Sequence, residues 1–77
     1  MKDFPKEYFY QIEGNTDLEV CILVGFDAFK STFWVECNLT LKETKKILRY
    51  LGKKFNIPDE QFALSEGMRF YRSFLDS

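Results

Sequence analysis

The sequence predicts an α+β fold: a three-stranded antiparallel sheet (a β-β-β meander) packed against two C-terminal helices. Three observations predict it. Residues 18–26 and 31–39 alternate apolar and polar side chains with a period of two. Residues 41–55 carry apolar side chains at three-to-four spacing behind a threonine. Residues 59–76 carry apolar doublets at that same spacing. A chain of 77 residues holds one domain, here 1–77. At 45% hydrophobic and 30% charged, it has the composition of a globular chain and not of a disordered one. Nine Phe, four Tyr and one Trp let a small core bury much area per residue.

The elements follow in order. Residues 1–6 read as a loosely held arm, because Pro5 excludes helix. Residues 7–13, EYFYQIE, are rich in aromatic and β-branched types and read as a strand, followed by turn chemistry at Gly14-Asn15. In 18–26, Leu18, Val20, Ile22, Val24 and Phe26 share one face, and Glu19, Cys21, Leu23 and Gly25 the other. A loop at 27–30 leads to 31–39, where Phe33, Val35, Cys37 and Leu39 alternate with Thr32, Trp34, Glu36 and Asn38. Matching apolar faces across the hairpin pairs Ile22 with Val35 and Val24 with Phe33, and sets Leu23 opposite Trp34 and Cys21 opposite Glu36. The two cysteines then point to opposite sides of the sheet, which argues against a disulfide.

Helix is the reading for 41–55. Thr40 and Glu43 have capping-box spacing. Leu41, Ile47, Leu48, Leu51 and Phe55 form the apolar stripe, Asn56 suits a left-handed cap, and Pro58 ends the element. Gly52 is the discordant residue, costing about 1 kcal/mol inside a helix. Beyond Pro58, Asp59 and Glu60 suit a first turn. A break near 65–67 would divide that helix, and a hairpin at Glu66-Gly67 is the competing reading.

Several chemistries are disfavoured. The chain has no His, so imidazole acid–base catalysis and histidine metal sites are excluded. Two cysteines sixteen residues apart make no zinc site. The glycines at 14, 25, 52 and 67 are too dispersed for a phosphate loop. The expectation is therefore no catalytic residue, no metal and no cofactor. The longest apolar run, 20–25, is too short to span a bilayer, so no membrane partner is expected. Without an apolar leader the cysteines read as free thiols, and the chain as cytoplasmic.

Two surfaces stand out. Charge is uneven: residues 1–39 hold seven acids against three lysines, and residues 40–57 hold six basic residues against Glu43. Lys42, Lys45, Lys46, Arg49 and Lys53 would form one basic stripe on a helix, suited to nucleic-acid phosphates or an acidic protein. A solvated outer helix face is the plainer reading of that stripe. The other surface is the sheet face turned away from the helices, where Phe9, Leu23, Trp34 and Glu36 should meet. A Phe–Leu–Trp group does not suit a water-facing sheet, and Trp is enriched at interface hot spots.

The sequence therefore reads as a small non-enzymatic protein–protein interaction module of inhibitor, immunity or adaptor type, occupying a surface of a larger macromolecule. Its partner would be another protein or a second copy of itself. The alternative is a nucleic-acid-binding regulator using the basic helix 41–55.

Overall fold

The computed structural model describes residues 4–76. Four strands, β1 (Lys6–Ile12), β2 (Asn15–Asp27), β3 (Thr32–Leu41) and β4 (Ile47–Ile57), are followed by one helix, α1 (Glu60–Asp76). The strands pair antiparallel in the order β1-β2-β3-β4. The α+β class stands, but three strands and two helices are corrected to four strands and one helix. The missing helix is β4; the helix after Pro58 is present and continuous, with neither the alternative break near 65–67 nor the alternative hairpin at Glu66-Gly67.

The segment expected to be a helix is a strand interrupted by bulges. Along β3 the partners Glu36, Asn38 and Thr40 lie two residues apart; their mates Lys53, Tyr50 and Ile47 on β4 lie three apart. Each irregularity inserts an extra residue, so same-face side chains recur at a spacing that imitates a helix. Thr40 caps nothing: it is buried in β3 and its hydroxyl donates to the Glu19 carbonyl at 3.2 Å. Residues 42–46 form the β3–β4 turn, closed by Lys45 N–H to Leu41 O (2.8 Å) and Leu41 N–H to Lys46 O (2.9 Å). Asn56 does take the left-handed conformation (φ 59°), but as an extra residue between the pairs Val35–Lys54 and Phe33–Ile57.

The β2–β3 register keeps the expected faces and shifts the partners by two. Ile22 lies opposite Cys37, Val24 opposite Val35, Leu23 opposite Glu36, Cys21 opposite Asn38 and Trp34 opposite Gly25. The loop has the expected four residues but comes one residue later, after Asp27. That carboxylate accepts the N–H groups of Phe29 (3.0 Å) and Lys30 (3.3 Å), and Ser31 takes the left-handed conformation (φ 53°). Moving a hairpin loop by one residue moves every pair by two, so face parity survives.

The core lies between the sheet and α1. Val20, Ile22, Val24, Val35, Cys37, Ile57 and Ala63 are buried there. Asp59 caps the helix, its carboxylate accepting the Phe62 N–H at 2.7 Å. No β-branched residue interrupts 59–76. Small residues on the inner face allow close approach: a Cβ on Gly67 would stand 2.5 Å from Ile22 Cγ2, and one on Gly52 would stand 2.6 Å from the Phe70 ring. Phe4 packs with Phe33 (ring centroids 5.5 Å) and Phe26 (6.2 Å) at the end of this core. From Phe4 onward the arm is therefore anchored, while the part of that expectation on residues 1–3 lies outside the described residues. No helix among the described residues is long and apolar enough to cross a membrane.

Candidate interaction face

The face of the sheet opposite α1 is covered by no other element of the described residues. Register places Glu7, Phe9 and Gln11 of β1 beside Leu23, Cys21 and Glu19 of β2, and these beside Glu36, Asn38 and Thr40 of β3. Ile47, Tyr50 and Lys53 of β4 complete the rows. Four large apolar side chains there remain open to solvent: Phe9 (37%), Ile47 (58%), Tyr50 (56%) and Phe55 (56%).

Two features organise this face. The first is a cation held between rings. Lys53 Nζ stands 5.0 Å from the Trp34 ring centroid and 5.1 Å from that of Phe55, and 3.7 Å from Glu36 Oε1. Trp34 itself lies against Gly25, whose missing side chain leaves room for the indole. The second is a hollow of about 110 Å³ lined by Glu7, Phe9, Cys21, Leu23, Glu36, Asn38, Thr40, Lys45 and Ile47. Cys21, Asn38 and Thr40 are buried at its floor although no helix covers them. Lys45 reaches over its edge to pair with Glu19 and stands 4.3 Å from the Phe9 ring centroid.

The electrostatics of the hollow oppose thiolate chemistry. Burial pushes the Cys21 thiol above its ordinary range, and the neighbouring Glu7 and Glu36 carboxylates push it further. On the other face, burial pushes Cys37 up to about 12. Both cysteines are free and buried. Among the described residues no buried side-chain N or O lacks a hydrogen-bond partner, and no group of three or more His, Cys, Asp or Glu is placed to hold a metal ion. Asn38 donates to Glu36 at 3.0 Å, so the polar floor of the hollow is satisfied within the chain.

The residues singled out from the sequence divide in two. Phe9, Leu23, Trp34 and Glu36 do share the face away from the helix. Lys42, Lys45, Lys46, Arg49 and Lys53 do not share a helical stripe, because the helix they required is absent. Lys42, Lys45 and Lys46 lie in the β3–β4 turn, Arg49 lies over the Phe74 ring on the helix side (5.5 Å), and Lys53 joins Trp34 on the far face. Ile47, Tyr50 and Phe55 were missed as members of that face. Their signal was the three-residue recurrence combined with Gly52, which a helix disfavours.

Compared with known proteins, the chain matches no protein family, no curated protein and no solved structure. The functional reading therefore stands on geometry and chemistry.

Proposed function

We propose that this chain is a small non-enzymatic protein-interaction module, cytoplasmic in location, that docks on another protein through the sheet face opposite α1. The observation that carries the reading is the composition of that face. A half-buried indole, a lysine stacked between two rings and four solvent-open apolar side chains are surrounded by Glu7, Gln11, Glu19 and Glu36. Interface cores combine aromatic anchors with a polar rim in this way, while the open face of a monomeric sheet is ordinarily polar. α1 packs on the opposite face, over β2, β3 and β4, so the occupant completes a second layer over the sheet. An apolar protrusion of a larger protein, of helix width and flanked by charged groups that meet the carboxylates and Lys53, fits such a face. Inhibitor, immunity and adaptor roles all consist of this kind of surface occupation.

A photo-crosslinking residue at Tyr50 and another at Gln61, on the helix side, test the reading in host lysate. Capture of the same protein from Tyr50 and not from Gln61 is the expected result. Phe55→Ala and Ile47→Ala should then weaken binding of that protein by about thirtyfold or less each, with unchanged melting. Equal capture from both positions, or affinity indifferent to both substitutions, would sink the proposal. A gel shift with DNA or RNA at low salt, lost at high salt, would favour the nucleic-acid alternative instead.

A further inference from the structure

We infer that the β1 edge is a self-association surface, on which two copies of the chain pair β1 against β1 about a twofold axis at Phe9. The two open edges of the sheet differ in kind. β4 is irregular at three places along its pairing with β3 and carries Arg49, Lys53 and Lys54, devices that discourage a further strand. β1 pairs with β2 in unbroken register from Lys6–Val24 to Gln11–Glu19. It has no proline within Lys6–Ile12. Alternate residues along it turn their N–H and C=O groups away from β2, with no strand of the described residues to receive them.

The sequence of β1 is complementary to itself in this arrangement. With Phe9 on the axis, Phe9 faces its own copy, Tyr8 faces Tyr10, Glu7 faces Gln11 and Lys6 faces Ile12. No like charges oppose each other, and both faces of the new pair carry ring–ring contacts, which stabilise cross-strand neighbours. The parity of this register also keeps the helix-facing residues of both copies on one side.

A second observation comes from the helix side. Among the described residues α1 packs its backbone closely on β2, β3 and β4 and meets β1 only through side chains. Hydrogen bonds from Lys6 (2.9 Å) and Tyr8 (3.2 Å) to Glu60 tie β1 to the start of α1. Beyond that point a groove of about 570 Å³ lies between β1 and the helix, its lining including Tyr10, Phe62, Leu64, Met68, Arg69 and Arg72. A second copy of β1 brings its own Tyr8 and Tyr10 to this side. The two grooves then merge beneath a pair of helices on a continuous eight-stranded sheet. The face proposed above for another protein remains open in that dimer.

Charge exchange across the axis tests the register. Sedimentation equilibrium of the full chain should show a monomer–dimer equilibrium. Gln11→Glu sets it opposite the partner's Glu7 twice per dimer and should raise the dissociation constant about tenfold (about 1.4 kcal/mol). Adding Glu7→Lys to that variant should restore the wild-type constant. Gln11 also lies opposite Glu19 in its own chain, so melting curves of each variant separate intrachain cost from dissociation. As a second measure, Phe9→Cys combined with Cys21→Ala, which removes the free thiol directly opposite it in its own chain, should form an interchain disulfide under mild oxidation, because residues directly opposite in an antiparallel pair have Cα atoms about 4.5–5.5 Å apart. Glu7→Cys should not, since its own copy lies four residues along, about 13 Å away. A monomer at all concentrations, a dimer indifferent to Gln11→Glu, or a dimer lost on Phe55→Asp instead would each overturn the inference.

Discussion

The indole of Trp34 occupies the space above Gly25 so closely that a Cβ on the glycine would sit 2.0 Å from Trp34 Cε2 and Cζ2. The two residues are direct partners across β2 and β3. An aromatic side chain is thereby held against the sheet by a residue with no side chain, and from there it reaches Lys53.

Gly25→Ala should displace the indole. Overpacking of this kind costs about 1–3 kcal/mol. Trp34 is the single tryptophan, so its emission should shift to longer wavelength in the native state while the far-ultraviolet spectrum stays sheet-rich. Unchanged emission would place the ring elsewhere. Trp34→Ala exposes Gly25 and should cost stability as well as binding, which is why Phe55 and Ile47 are the cleaner probes of the face.

Gly67→Ala should destabilise the protein although alanine is the better helix former. The propensity gain is about 1 kcal/mol. Against it stands overpacking of about 1–3 kcal/mol, since the new methyl meets Ile22 Cγ2 at 2.5 Å and Val35 Cγ2 at 3.1 Å. Ser65→Ala, on the exposed side of the same helix, should instead be neutral or stabilising by about 0.5 kcal/mol. Denaturant midpoints of the two variants should move in opposite directions or differ by more than experimental error.

Stability should fall on acidification. Lys54 first, and then Arg69 at 2.8 Å, hold the Glu66 carboxyl below its unfolded value of 4.5. Lys6 holds Glu60 below its ordinary value in the same way. A carboxyl with a depressed folded pKa stabilises above its unfolded pKa and loses that contribution as pH falls through the folded one. The wild type should therefore lose stability below about pH 4.5, whereas Glu66→Gln should be less stable at pH 7 and show a shallower acid limb. Parallel acid limbs for the two proteins would contradict the pairing.

The alkaline side is governed by the opposite sign. Cys37 titrates near 9 when unfolded and is pushed up to about 12 in the fold by burial. Its contribution is fully present below pH 9 and is lost as pH rises toward 12. Thiol labelling of the native protein near pH 8 should be slow at both cysteines and slower at Cys37, which is fully buried, than at Cys21, which is 7% exposed. Mass spectrometry of the time course distinguishes the two sites. Rapid native labelling of Cys37 would show that the sheet–helix interface opens readily.

The faces of the sheet were legible in the sequence. Alternation in 18–26 and 31–39 assigned Val20, Ile22, Val24, Val35 and Cys37 to one side and Cys21, Leu23, Trp34 and Glu36 to the other, and the structure keeps that division. Parity is a local property, since successive side chains of a strand must point in opposite directions. The partners were not legible, because register depends on where the turn closes. Asp27 closes the loop at 28–31 through hydrogen bonds that alternation does not encode.

The start of α1 was legible in the sequence through Pro58, the acidic pair Asp59-Glu60 and the apolar doublets that follow. The fate of residues 41–57 was decided only by tertiary structure. Their three-to-four spacing satisfies a helix and a repeatedly bulged strand equally well, and local propensity does not separate the two. What separates them is Gly52 beneath the Phe70 ring, together with the exposed edge of β3 that β4 covers. A strand there fills the backbone hydrogen bonds of β3 and gives α1 a fourth strand to pack on. An isolated helix would leave that edge bonded only to water and would forgo the net gain of each ladder hydrogen bond, about 0.5–1.5 kcal/mol.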